Sequence, residues 1–61
     1  MRLYVYSIYI EKGVKAKGVY ADSAAMARFL AKKAYRLWLE TGKQTGTDMS
    51  GRVIKFDIEK F

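Results

Sequence analysis

A chain of 61 residues holds one domain and one small core, with no room for a second. It contains no cysteine and no histidine, which excludes disulfides, Cys/His zinc sites, thiol nucleophiles and the commonest general base. Twelve Lys and Arg against six Asp and Glu leave a formal charge of +6, which favours polyanions or acidic protein surfaces as partners.

The apolar start, up to Ile10, is too short to span a bilayer and lacks a small-residue cleavage site. It is therefore expected to be neither anchor nor signal peptide, and a cytoplasmic setting is expected. Residues 2–10 are rich in β-branched and aromatic types without glycine or proline, which predicts a strand. Val14 to Tyr20 alternates again after Glu11-Lys12-Gly13, with Gly13 closing a three-residue hairpin loop. That register sets Ile10 against Val14, Ile8 against Ala16, Tyr6 against Gly18 and Tyr4 against Tyr20. It is preferred to a two-residue turn at Lys12-Gly13, which would set Ile8 against Lys17, because it segregates apolar from charged residues. The opposite sheet face then carries Leu3, Val5, Ser7 and Tyr9 beside Lys15, Lys17 and Val19.

Asp22 or Ser23 is the expected cap of a helix that starts at Ala24 and runs to about Thr41, where Gly42 stops it. Met26, Ala27, Leu30, Ala34, Leu37 and Trp38 share one face by the helical period, with Trp38 expected to be largely buried against Ile8, Ile54 and Phe56. The other face carries Arg28, Lys32, Lys33 and Arg36, with Phe29 and Leu39 among them. Residues 42–51 read as a polar, glycine-rich connector. Arg52 to Glu59 reads as a final strand, with Ile54, Phe56 and Ile58 facing in and Lys55, Asp57 and Glu59 facing out.

Strand, strand, helix, strand implies a single α+β domain of two layers, ββαβ, with one long helix on one face of a three-stranded antiparallel sheet. The first strand is apolar on both sides, which suits a central position and predicts the sheet order 2-1-3. The helix would then cross over between the two outer strands.

Little in the chain suits catalysis. Asp57 and Glu59 point the same way on a strand, a spacing that can bind a cation or divide acid and base roles, yet neighbouring Lys55 and Lys60 make a solvated face the better reading. Gly42-Lys43-Gln44-Thr45-Gly46-Thr47 has the composition of a phosphate loop, but its order is wrong and it follows a helix instead of leading into one. No enzyme activity, cofactor or metal site is expected.

The basic helix stripe is the stronger signal. Arg28, Lys32, Lys33 and Arg36 repel one another, and Lys43 extends the stripe beyond the helix end; a bound polyanion relieves that repulsion. Phe29 and Leu39 add apolar area that a solubilising face does not require. The leading expectation is a small nucleic-acid-associated protein that contacts the phosphates of DNA or RNA with little sequence preference. The alternative is a protein-binding inhibitor or adaptor, of the kind phages and viruses encode, docked on an acidic protein surface. The sheet face of Leu3, Val5, Tyr9, Lys15, Lys17 and Val19 is expected to be covered by a second copy in a homodimer. No membrane role is expected, because the helix needs its apolar face for the core.

The segment Arg52-Val53-Ile54-Lys55-Phe56-Asp57-Ile58-Glu59, with the element order, resembles an archaeal large-subunit ribosomal protein family that ends in an Ile-Lys-rich strand. After the helix the chain departs from that family, with Gly42-Lys43-Gln44 in place of Gly-Ser-Lys-His. In size and style it also resembles small phage accessory proteins.

Overall fold

A computed structural model describes residues 2–61. Alternating apolar residues build the first hairpin, β1 (Tyr4–Glu11) and β2 (Val14–Ala21), and the alanine-rich segment forms α1 (Ala24–Thr41). Three short strands follow, β3 (Thr45–Thr47), β4 (Val53–Lys55) and β5 (Asp57–Lys60). The fold class is α+β as expected, a three-stranded antiparallel sheet with one long helix against it.

The helix ends follow from the residues at them. Ser23 is extended and its hydroxyl accepts from the Met26 amide at 3.2 Å, while Gly42 turns left-handed at φ 76° and donates its N–H to the Trp38 carbonyl. Ala27, Leu30, Ala31 and Ala34 are the buried stripe. Trp38, expected to be largely buried, is only half-buried: it lies at the edge of the core, edge-on to Tyr35 and with the Lys60 ammonium 5.2 Å from its ring centre.

Three features differ from the expectations. The hydrogen-bonded order is β1-β2-β5, so β2 and not the first strand lies in the middle. Small inward side chains explain the choice: Ala16, Val19 and Ala21 on β2 are wholly buried and let the helix sit close. The connection from β2 through α1 leads back to a neighbour that runs antiparallel, so there is no parallel crossover between outer strands.

The hairpin register is also divided. Ile8 opposes Ala16 as expected, but the strands meet at Glu11 and Val14 through a two-residue turn at Lys12-Gly13. Ile10 is the extra residue that reconciles the two, a bulge on β1. A second bulge on β2 places Lys17 and Gly18 opposite Ser7, with Gly18 at φ 67°. One added residue reverses the alternation, so Val19 turns into the core and Tyr20 turns out beside Val5.

The expected connector contains a strand, and the expected last strand is two. Thr45–Thr47 pairs with Val53–Lys55 in a separate two-stranded sheet, and the chain changes sheets at Phe56. Gly46 lies against α1 and Phe56: a Cβ there would stand 2.5 Å from Phe56 Cε2 and 3.0 Å from the Ala34 Cβ. The stretch is a packed element with no phosphate-loop geometry. At the join, the Gln44 side-chain amide donates to the Ile58 carbonyl at 3.0 Å and accepts from the Ile58 N–H at 3.1 Å, taking the place of a strand beside β5.

Candidate functional site

Arg28, Lys32 and Arg36 recur every fourth residue on α1, with Lys33 beside them, and all four are exposed. The helical rise spreads Arg28 to Arg36 over about 12 Å. None of them lies within ion-pair distance of a carboxylate among the described residues; the ion pairs there are Lys17–Glu59 and Arg52–Asp48. Phe29, 60% exposed, and Leu39, 61% exposed, interrupt the cations with apolar surface. Lys43 is exposed just past the Gly42 cap.

The stripe does not stop at the helix. Lys32, Arg36 and Leu39 overhang a shallow hollow of about 250 Å³ whose other walls are Ile10, Glu11 and Tyr35, at the rim of β1. The Tyr35 hydroxyl donates to Glu11 Oε1 at 2.7 Å, and this bond to a carboxylate holds the phenol above its ordinary titration range.

The open face of the sheet is built differently from the expectation. Val5, Tyr9, Lys15 and Lys17 do lie on it, and Leu3 is exposed at its margin, but Val19 is fully buried. Tyr20 and Phe61 take the surface instead, Phe61 edge-on to Tyr9 with ring centres 6.1 Å apart. Lys15 stands 5.6 Å from the Tyr9 ring centre, and Lys17 meets Glu59 at 3.2 Å. Asp57 and Glu59 alternate outward on β5 opposite Lys17 and Lys15, so cations and anions balance on this face. The two carboxylates form part of that mixed surface, and no group of three or more acidic side chains able to hold a metal occurs among the described residues.

A cleft of about 520 Å³ has no counterpart in the sequence reading. It lies between Leu3 and Tyr20 on one side and Met49, Arg52 and Ile54 on the other. The hairpin turn that walls it is organised by Asp48. Its Oδ1 accepts from the Ser50 hydroxyl at 2.6 Å, the Ser50 amide at 2.9 Å and the Arg52 amide at 3.0 Å, while its Oδ2 meets Arg52 Nε at 3.2 Å. The Ser50 hydroxyl above all, with these other donors, lowers the Asp48 pKa below the ordinary carboxylate value. The only sign of this turn in the sequence is Asp48-Met49-Ser50-Gly51, a common turn composition.

No helix among the described residues is long and apolar enough to cross a membrane. Comparison with protein-family models, with curated proteins and with solved structures finds no match to this chain.

Proposed function

We propose that the chain is a small nucleic-acid-associated protein whose α1 stripe, Arg28, Lys32, Lys33 and Arg36 with Lys43 beyond it, lies along a phosphate backbone. The observation that supports this most is the absence of any carboxylate within ion-pair reach of the four helix cations among the described residues. They carry uncompensated charge that a polyanion neutralises, with release of its counterions. The open sheet face is the poorer candidate for phosphate. Its aromatic rings suit base stacking, but Asp57 and Glu59 sit among its lysines and repel a backbone.

Neutralising four phosphates makes the logarithm of affinity fall with the logarithm of salt at a slope of about −3.6 on duplex DNA and about −2.8 on a single strand. Fluorescence anisotropy with labelled oligonucleotides measures it. Replacing Lys32 and Lys33 together by Gln is expected to reduce the slope by about two and to weaken all sequences alike. No binding to DNA or RNA at low salt removes this reading.

The exposed Phe29 and Leu39 favour a second reading, docking of the same stripe on an acidic protein surface. There, Phe29→Ala or Leu39→Ala weakens binding more than loss of a lysine, since apolar anchors outweigh rim charges, and salt acts chiefly on association rate.

A further inference from the structure

β1 has the composition of an interior strand and the position of an edge. From Leu3 to Ile10 it contains no charge and no proline, so of the devices that normally protect an edge it carries only the bulge at Ile10, at its far end. It pairs with β2 alone, so along its other side the backbone N–H and C=O groups have no strand to meet. At about 3.3 Å per residue this open edge is about 26 Å long, against a longest molecular dimension of 32 Å. At the other edge of the sheet the Gln44 amide caps Ile58.

We infer that β1 pairs antiparallel with β1 of a second copy about a two-fold axis at Ser7, each Tyr4 ring filling the other copy's hollow at Ile10, Tyr35 and Leu39. Unmet backbone groups require an extended strand as occupant, and a second copy brings one of equal length that is already ordered. An axis at Ser7 sets Tyr4 opposite Ile10 of the other copy and Tyr6 opposite Ile8. Even-numbered residues meet even-numbered ones, so both inner faces stay on one side of the joined sheet. Tyr4, 49% exposed, thereby reaches the hollow that Ile10 lines. Polar groups at that rim, the second oxygen of Glu11 and the Arg36 guanidinium, receive the tyrosine hydroxyl. No charge lies between Leu3 and Ile10 to repel its counterpart. The contact is isologous, the same knob and hollow twice. It makes β1 the central strand that its sequence describes, and it places two α1 stripes side by side over one six-stranded sheet. The inference stands whether or not those stripes bind nucleic acid.

The chain has no cysteine, so single cysteines report the geometry directly. Directly opposed antiparallel residues have Cα atoms about 4.5–5.5 Å apart, within the range of a disulfide. Ser7→Cys is expected to oxidise rapidly to a covalent dimer. Lys17→Cys on β2 and Ala25→Cys on α1 are expected not to, the two β2 strands being about 14 Å apart across the seam. Sedimentation equilibrium of the unaltered protein should return twice the chain mass. Ser7→Lys, with far-UV circular dichroism unchanged, should return the monomer, and Tyr4→Ala should weaken association at least ~10-fold. Should Ser7→Lys unfold the chain, Tyr4→Ala and the cysteine comparison still decide. A monomer at millimolar concentration overturns the inference. So does cross-linking through Lys17→Cys in place of Ser7→Cys, which would put the contact on the open sheet face.

Discussion

Gly46→Ala adds one methyl group at the closest approach of β3 to the rest of the core. The new Cβ would stand 2.5 Å and 2.7 Å from two atoms of the Phe56 ring and 3.0 Å from the Ala34 Cβ. Phe56 and Ala34 are both buried and cannot swing aside into solvent. Overpacking of this kind costs about 1–3 kcal/mol. Gly46 is not left-handed, so alanine suits its backbone and recovers about 0.4–1 kcal/mol through the unfolded state. The net loss is about 1–2 kcal/mol, out of roughly 3–5 kcal/mol that a core of this size supplies. At about 8 °C per kcal/mol for so short a chain, Tm falls by about 8–16 °C. Thermal and urea unfolding followed by circular dichroism measure both quantities. Phe56→Leu removes the ring that the methyl strikes, so the double variant should be more stable than additivity allows by about 1 kcal/mol. Gly46→Ala at or above the stability of the parent, or strict additivity with Phe56→Leu, would refute the packing argument.

Three further outcomes follow from the turns and the titrating groups. Because the Asp48 pKa is lowered in the folded state, its contribution is complete above the ordinary carboxylate range near pH 4 and is lost as pH falls through the depressed value. Asp48→Asn should therefore flatten the acid limb of a stability–pH profile measured by urea titration. Tyr35 has the opposite sign: its raised pKa gives a contribution present below about pH 10 and lost as pH rises through the folded value, so Tyr35→Phe should remove the alkaline limb. Gly13→Ala meets both a left-handed backbone, φ 81°, and the Phe61 carbonyl oxygen at 2.7 Å, whereas Gly42→Ala meets the backbone cost alone. The first should lower stability more than the second by about 1 kcal/mol in the same assay.

Legibility in the sequence followed the strength of side-chain signals. The helix, a cap at Asp22 or Ser23 (it is Ser23), the Gly42 stop and part of the buried face, Ala27, Leu30 and Ala34, were readable because apolar residues recur at helical spacing between recognisable ends. The basic stripe was readable for the same reason. β3 was not, since Thr45-Gly46-Thr47 has no apolar alternation; what holds it is the missing side chain of Gly46, which lets the strand reach Phe56. The break at Phe56 was invisible because Ile54, Phe56 and Ile58 keep strand alternation while passing from one sheet to the other. The open face was misjudged at two residues: the bulge at Lys17-Gly18 shifts the phase, burying Val19 and exposing Tyr20. Strand order was misjudged because apolarity on both sides of β1 suggested a central strand, while Val5 and Tyr9 on its outer side are 61% and 67% exposed.

The two hydrogen bonds between the Gln44 amide and Ile58 bear on how far such a molecule can assemble. In polymer terms a unit with two reactive ends propagates and a unit with one terminates at the pair. A sheet with both margins open is bifunctional and can grow into a fibre. One glutamine, satisfying the N–H and C=O that Ile58 turns away from β2, occupies one of those ends. With Ile58 so capped, the β1 pairing inferred above would end at the pair, a side chain outside any strand guarding the far margin of this sheet.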